Sequence, residues 1–255
     1  MKVFLVKKSK FIISIILTVV LILLAVFIGF TGYAVVYTGG ATKKLPIYSV
    51  ERNDNKISIS FDCAYGVDYT DKLLDILNEY NVKCTFFAVE FWVDKYPDYA
   101  KKIVEMGHEL QTHSSTHPDM SKLSVEQIEK ELTNSKNKIE SVTGQKVTLF
   151  RAPFGYYDND VILVAEKLNL YTIQWSVDSI DWKNISAKEI ANRIITKTES
   201  GSIILCHNNG LHTAEALPSV LGRLKEKGYE FVKISDLIYK NNYTINGFGK
   251  QIPSA

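Results

Sequence analysis

Cysteine is scarce: Cys63, Cys84 and Cys206 are the only three in 255 residues. Three unevenly spaced thiols build no disulfide framework and leave one over in any pairing, so stability must come from a packed core. Low-complexity tracts and internal repeats are absent. With 6 prolines, 14 glycines, 46% hydrophobic and 23% charged residues, the composition is globular, neither collagen-like nor disordered. No G-x-S-x-G elbow, P-loop or G-x-G-x-x-G run occurs, so acyl-serine, nucleotide and dinucleotide chemistry have no motif support.

A basic domain is also lacking. The formal charge of +2 resides at the N-terminus, where Lys2, Lys7, Lys8 and Lys10 stand without an acid. Residues 11–42 carry no charge, and the remainder sets 26 basic against 28 acidic residues. That balance gives no nucleic-acid-binding surface. Residues 11–30 (FIISIILTVVLILLAVFIGF) are long enough, at 1.5 Å per residue, to span a bilayer as a helix. The preceding lysines place residues 1–10 in the cytoplasm and the rest outside, a single-pass cell-membrane protein with an extracytoplasmic domain. A cleaved signal peptide is the competing reading, disfavoured by the length of the apolar run.

Residues 31–55 read as a stem. From Lys56 short β-branched or aromatic runs alternate with amphipathic stretches. The expected strands are KISISF (56–61), KCTFFAV (83–89), HELQTH (108–113), TLFRAPF (148–154), LYTIQWSV (170–177), SIILCHN (202–208) and EFVKISDL (230–237). Helical stripes lie between them, with capping signals at Ser124/Gln127 and Ser186/Glu189. This alternation predicts an α/β fold, a barrel or near-barrel of about seven parallel strands. Residues 241–255 are polar and read as a poorly ordered tail.

In such a fold chemistry gathers at the C-terminal ends of the strands. Asp62, His113, His117, Arg151, Asp178, Asp181, Trp182 and His207 all fall there. His113 and His117 have the i,i+4 spacing that puts two imidazoles on one helical face, close enough to share a metal ion. Taken with Asp62, Arg151 and His207, these types suit amide or ester hydrolysis: a base, a general acid and a polarising ion.

The ordered set FDCAYG (61–66), HSSTH (113–117), RAPFG (151–155), DSIDW (178–182) and LCH (205–207) resembles the polysaccharide deacetylases, carbohydrate esterase family 4, over residues 56–240. The anchored, sporulation-type branch is the most similar. The resemblance implies a distorted (β/α) barrel and a metal-dependent N-deacetylase acting on a cell-envelope glycan, peptidoglycan or a chitin-like oligosaccharide. It implies Asp62 as base, His113 and His117 as ligands of a divalent metal (zinc, with cobalt able to substitute), and Arg151 positioning the base. It further implies His207 as general acid tuned by Asp181, an oxyanion contact near Phe154, Trp182 lining the groove and Leu205 beside the acetyl methyl. Where the family has a second aspartate, this chain has Cys63. Three outcomes follow: a thiolate zinc ligand, Asp62 recruited as ligand, or a lost metal and a non-catalytic glycan binder; the plainer reading of Cys63 itself is a small, buried, inert thiol beside the site. O-acetyl esterase activity is the remaining alternative, since the carbonyl chemistry is the same.

Overall fold

The alternation in KISISFDC sets the geometry of the whole domain. In the computed structural model, which describes residues 13, 15–26 and 43–254, this segment is strand β2 (Lys56–Cys63). A strand's side chains point to opposite faces in turn. Ile57, Ile59, Phe61 and Cys63 join Leu73, Leu77 and Trp92 in the layer packed by the helices, so Ser58, Ser60 and Asp62 take the inner face. A second cluster, with Phe87, Leu149, Ile173, Ile203 and Ile234, fills the hollow of the sheet.

The sheet runs β6 (Tyr171–Thr172), β5 (Leu149–Phe150), β4 (Glu109–Thr112), β3 (Thr85–Ala88), β2, β8 (Ile203–His207), β7 (Val177–Asp178), and β9 (Glu230–Phe231) pairs beside the start of β2. Every one of these pairings is parallel. Helices α2 (Thr70–Glu79), α3 (Glu90–Lys95), α4 (Pro97–Glu105), α5 (Val125–Thr143), α6 (Asn159–Lys167), α7 (Ala187–Lys197) and α8 (Thr213–Glu226) follow the strands in the crossovers. Both expected capping boxes form, Ser124 with Gln127 and Ser186 with Glu189, each of the kind worth about 1 kcal/mol.

The seven-strand path curls without closing: β6 and β7 are its two edges. The expected strand over 170–177 divides here. Ile173 bridges to Ile47, and Ser176 N–H donates to the Ile203 carbonyl, so the chain leaves β5 and crosses to β8. The expected strand over 230–237 also stops early. After β9 the chain turns into α9 (Ile234–Leu237), whose first N–H groups donate to Thr85 Oγ1 (2.9 Å) and Glu109 Oε1 (3.1 Å). Ile234 and Leu237 thereby enter the inner cluster.

The tail is ordered. β10 (Tyr243–Ile245) and β11 (Lys250–Pro253) form an antiparallel pair, and β11 also pairs with β1 (Ser49–Val50) from the stem. Val50 N–H donates to the Gly201 carbonyl at 3.0 Å, tying this small sheet to the large one. The compact unit is accordingly Lys44–Ala255. In the separate N-terminal unit residues 13 and 15–26 are helical (α1), with exposed apolar side chains. Among the described residues no helix is long and apolar enough to cross a membrane. Residues 11, 12, 14 and 27–30 of the expected span lie outside them.

Candidate active site

Strand register assembles the site. Asp62 and His207 are Cα partners on the neighbouring strands β2 and β8. Asp62 also lies level with Phe87, and Phe87 with Gln111. His113 stands two residues beyond Gln111, and Arg151 two beyond Leu149 of the inner cluster, so the same inner face carries both. The result is a cavity of about 520 Å³ at the C-terminal ends of the strands, with Asp62, His113, His117, Leu205 and His207 in its wall. A volume of that size is ordinary for a ligand pocket.

Asp62 is nearly sheathed. Arg151 Nη1–H donates to its Oδ1 at 2.7 Å, and His113 Nε2 lies 3.6 Å from Oδ2. Burial pushes the carboxyl up, but the charges of Arg151, His113 and His207 outweigh it and hold Asp62 below the usual carboxylate range. Arg151 is itself fully buried, its guanidinium 4.2 Å from the centre of the Phe87 ring. It holds Asp62 ionised and fixed in orientation.

His207 is tuned the opposite way. Its Nδ1–H donates to Asp181 Oδ1 at 2.7 Å, while its backbone N–H and Thr213 Oγ1–H donate to Oδ2 at 2.8 and 2.6 Å. Burial lowers the imidazole, and the hydrogen bond and charge of Asp181 overcome it, so His207 titrates above its ordinary value. Burial would raise Asp181, but His207 and Thr213 bring it down. A histidine and a carboxylate side by side, the first shifted up and the second shifted down, form an acid–base pair.

His113 and His117 converge without a helix. The chain reverses at Ser114 (φ 72°) and His117 (φ 59°). Glu131 of α5 pins the reversal, its Oε2 accepting the Ser115 and Thr116 N–H groups at 2.8 Å each. The two rings stand 5.0 Å apart. His113 Nδ1–H donates to the Arg151 carbonyl at 2.8 Å, which turns its Nε2 towards the pocket as a metal-binding imidazole requires. Burial and then the neighbouring His113 push His117 down to about 4, so it is neutral at pH 7.

Cys63 does not join them. It lies on the far face of β2, fully buried in the helix-packed layer, its thiol 3.8 Å from the Phe61 carbonyl. Burial and the nearby Asp62 push that thiol far up, which disfavours the thiolate a metal needs. Among the described residues no three His, Cys, Asp or Glu side chains are placed to hold an ion. Among the described residues His113 and His117 are therefore a two-imidazole half-site, and Cys63, on the opposite face of its strand, is placed as a buried thiol and not as a third ligand.

Strained backbone surrounds the pocket. Phe154 (φ 58°) sits within the 3-10 turn Pro153–Gly155, and Ile180 (φ 57°), a β-branched residue, precedes the turn Asp181–Lys183. The first lays the Phe154 ring 4.6 Å from His117; the second delivers Asp181 to His207 and leaves Trp182 at the rim. Asp178 caps a turn, accepting from Ile180 N–H at 2.8 Å. Tyr65, which belongs to no charged or metal-binding pattern in the sequence, lines the pocket just after β2. Its signal was an aromatic just beyond the strand end, followed by Gly66.

Comparison with known proteins bears on this geometry. A family model for polysaccharide deacetylase matches residues 49–173. A peptidoglycan-N-acetylglucosamine deacetylase of Bacillus cereus is 34% identical over 200 residues, covering 76% of this chain and 93% of that protein. This chain belongs to the polysaccharide deacetylase family. The chain spans a smaller share of another relative: it covers 60% of the uncharacterized protein YlxY of Bacillus subtilis, at 35% identity over 193 residues and 76% of its own length. The solved structure of BA3943 from Bacillus anthracis, described as a CE4 family pseudoenzyme, superposes with TM-score 0.73 at 36% identity, covering 75% of this chain and 68% of that one. A BA3943 mutant described as having restored enzymatic activity aligns equally well, at 37% identity and 75% and 70% coverage.

Proposed function

We propose that this chain is a hydrolase that removes N-acetyl groups from a cell-envelope polysaccharide, with peptidoglycan as the substrate. One observation carries the reading: Asp62, held below the usual carboxylate range by its Arg151 hydrogen bond and neighbouring charges, and His207, held above its ordinary value by Asp181, face one pocket from paired positions on adjacent strands. The peptidoglycan assignment is supported by the Bacillus cereus relative, which is named as a peptidoglycan-N-acetylglucosamine deacetylase.

The chemistry follows from these groups. Asp62 accepts a proton from a water as its oxygen attacks the acetamide carbonyl carbon. The carbonyl electrons move to oxygen and return as the C–N bond breaks. His207 supplies, from Nε2, the proton that the departing nitrogen needs, leaving acetate and a free amine. Leu205, 3% exposed in the pocket wall, offers an apolar seat for the acetyl methyl. Tethering by residues 11–30, facing outwards from the membrane, belongs to the same proposal and is supported by the uncharged run behind four lysines.

A second reading is favoured by one feature. Because Cys63 faces away and the imidazole pair has no third ligand among the described residues, the same pocket suits a glycan-binding protein without turnover; BA3943 is described as a CE4 family pseudoenzyme. Acetate release from peptidoglycan, with and without added zinc or cobalt, separates the two. Release that Asp62→Asn and His207→Ala each reduce by about 10²–10⁴-fold supports the hydrolase. Glycan binding with no acetate under any metal condition establishes the binder.

A further inference from the structure

An exposed aromatic pair leads out of the pocket: Tyr65 is part of its wall, and Phe91 stands beyond that wall. Tyr65 is 66% exposed and Phe91 37%, with ring centroids 5.8 Å apart and planes tilted by 40°. Tyr65 also lies edge-on to His117 at 6.2 Å, so the pair continues a run of rings through His117 and Phe154. Neither ring adds to the core, and exposed apolar patches beside a cleft mark ligand surfaces.

The two rings stand on separate, fixed supports. The Gly66 carbonyl, next to Tyr65, accepts Trp92 Nε1–H at 2.8 Å and Asn208 Nδ2–H at 3.0 Å. Gly66 has φ +63°, and a Cβ there would meet Asn209 Nδ2 and Asp68 Oδ2 at 2.8 Å each. The left-handed turn therefore favours glycine, and the two hydrogen bonds to its carbonyl anchor the backbone next to Tyr65. Phe91 rides on α3, whose Glu90 N–H donates to the Ser114 carbonyl at 3.1 Å, next to the His113–His117 loop. A platform ordered before binding loses little entropy when a ligand arrives.

We infer that Tyr65 and Phe91 form an outer subsite which stacks a sugar ring of the same glycan chain, beyond the unit held in the pocket. This rests on the glycan reading above. The chemistry favours sugar over an apolar partner: Tyr65 offers a ring face beside a hydroxyl that makes no hydrogen bond among the described residues, matching a pyranose with its C–H face and hydroxyl edge.

The test is the affinity of the full chain in detergent for N-acetylglucosamine oligomers of two to six units, by titration calorimetry, with acetate measured in the same samples. Wild type should bind about tenfold more tightly once the oligomer is long enough to reach the pair. Phe91→Ala and Tyr65→Ala should each flatten that step. Tyr65→Phe should keep most of it, and thermal melts should show all three variants folded. A flat length dependence in wild type, or a step unchanged in both alanine variants, overturns the subsite. Acetate release with flat affinity removes the subsite alone. A length step without acetate removes the hydrolase reading and leaves the subsite. No binding at any length removes both.

Discussion

Cys63 shows what a single position can decide. Its orientation was legible in the sequence, because Ile57, Ile59, Phe61 and Cys63 occupy one parity of the strand and Ser58, Ser60 and Asp62 the other. The family motif draws attention to the adjacent pair, whereas the pleat separates it. Cys63→Ala is therefore expected to leave zinc retention unchanged and to cost about 1–2 kcal/mol of stability from lost packing, checked by metal analysis and urea unfolding. Loss of metal on that substitution would restore the thiolate ligand. His207 gives a second expectation. Asp181 raises it, so the protonated acid, and with it activity, persists above pH 6.5 until the raised value is passed. Asp181→Asn should move the alkaline limb of the pH–rate profile to lower pH. An unmoved limb would assign that limb to another group.

Elements were legible where a local signal acts alone. Ser124 and Ser186 fixed two helix starts by hydrogen bonds within three residues. The strand at 170–177 was not, because its partners, Ile47 and Ile203, are remote in sequence and propensity carries no trace of them. The His113–His117 spacing likewise suggested a helix, but the left-handed residues and Glu131 make a loop instead. Glu131→Ala removes the acceptor of three hydrogen bonds, from Ser115 N, Thr116 N and Thr116 Oγ1. It should cost about 1–3 kcal/mol and loosen the imidazole pair, read as weaker metal retention than in wild type. Gly201 tests another element. A Cβ there would lie 1.7 Å from the Val50 carbonyl oxygen, at φ +79°. Gly201→Ala should lower stability by more than about 2 kcal/mol and speed hydrogen exchange at Val50. Wild-type exchange rates in that variant would show the small sheet to be held by other contacts.

At the scale of the molecule, buried His108 couples the fold to pH. Its Nδ1 accepts the Cys84 N–H at 3.2 Å, its Nε2 has no partner among the described residues, and burial pushes it down to about 4. The unfolded chain, near 6.5, takes up the proton first. Stability is therefore expected to fall by roughly 3 kcal/mol as pH drops from about 6.5 to about 4, then to level off for this group. Urea unfolding across that range, with His108→Gln as the comparison, should show a flatter slope in the variant. Equal slopes would place the titration elsewhere. The small three-stranded sheet has a consequence in time. Val50 pairs with Gln251, so the ribosome releases one partner long before the other. At about 5–20 residues per second, roughly 10 to 40 seconds separate them. Through that interval the nascent chain can hold most of its large sheet but cannot be clasped, and a product truncated near Lys240 never could be.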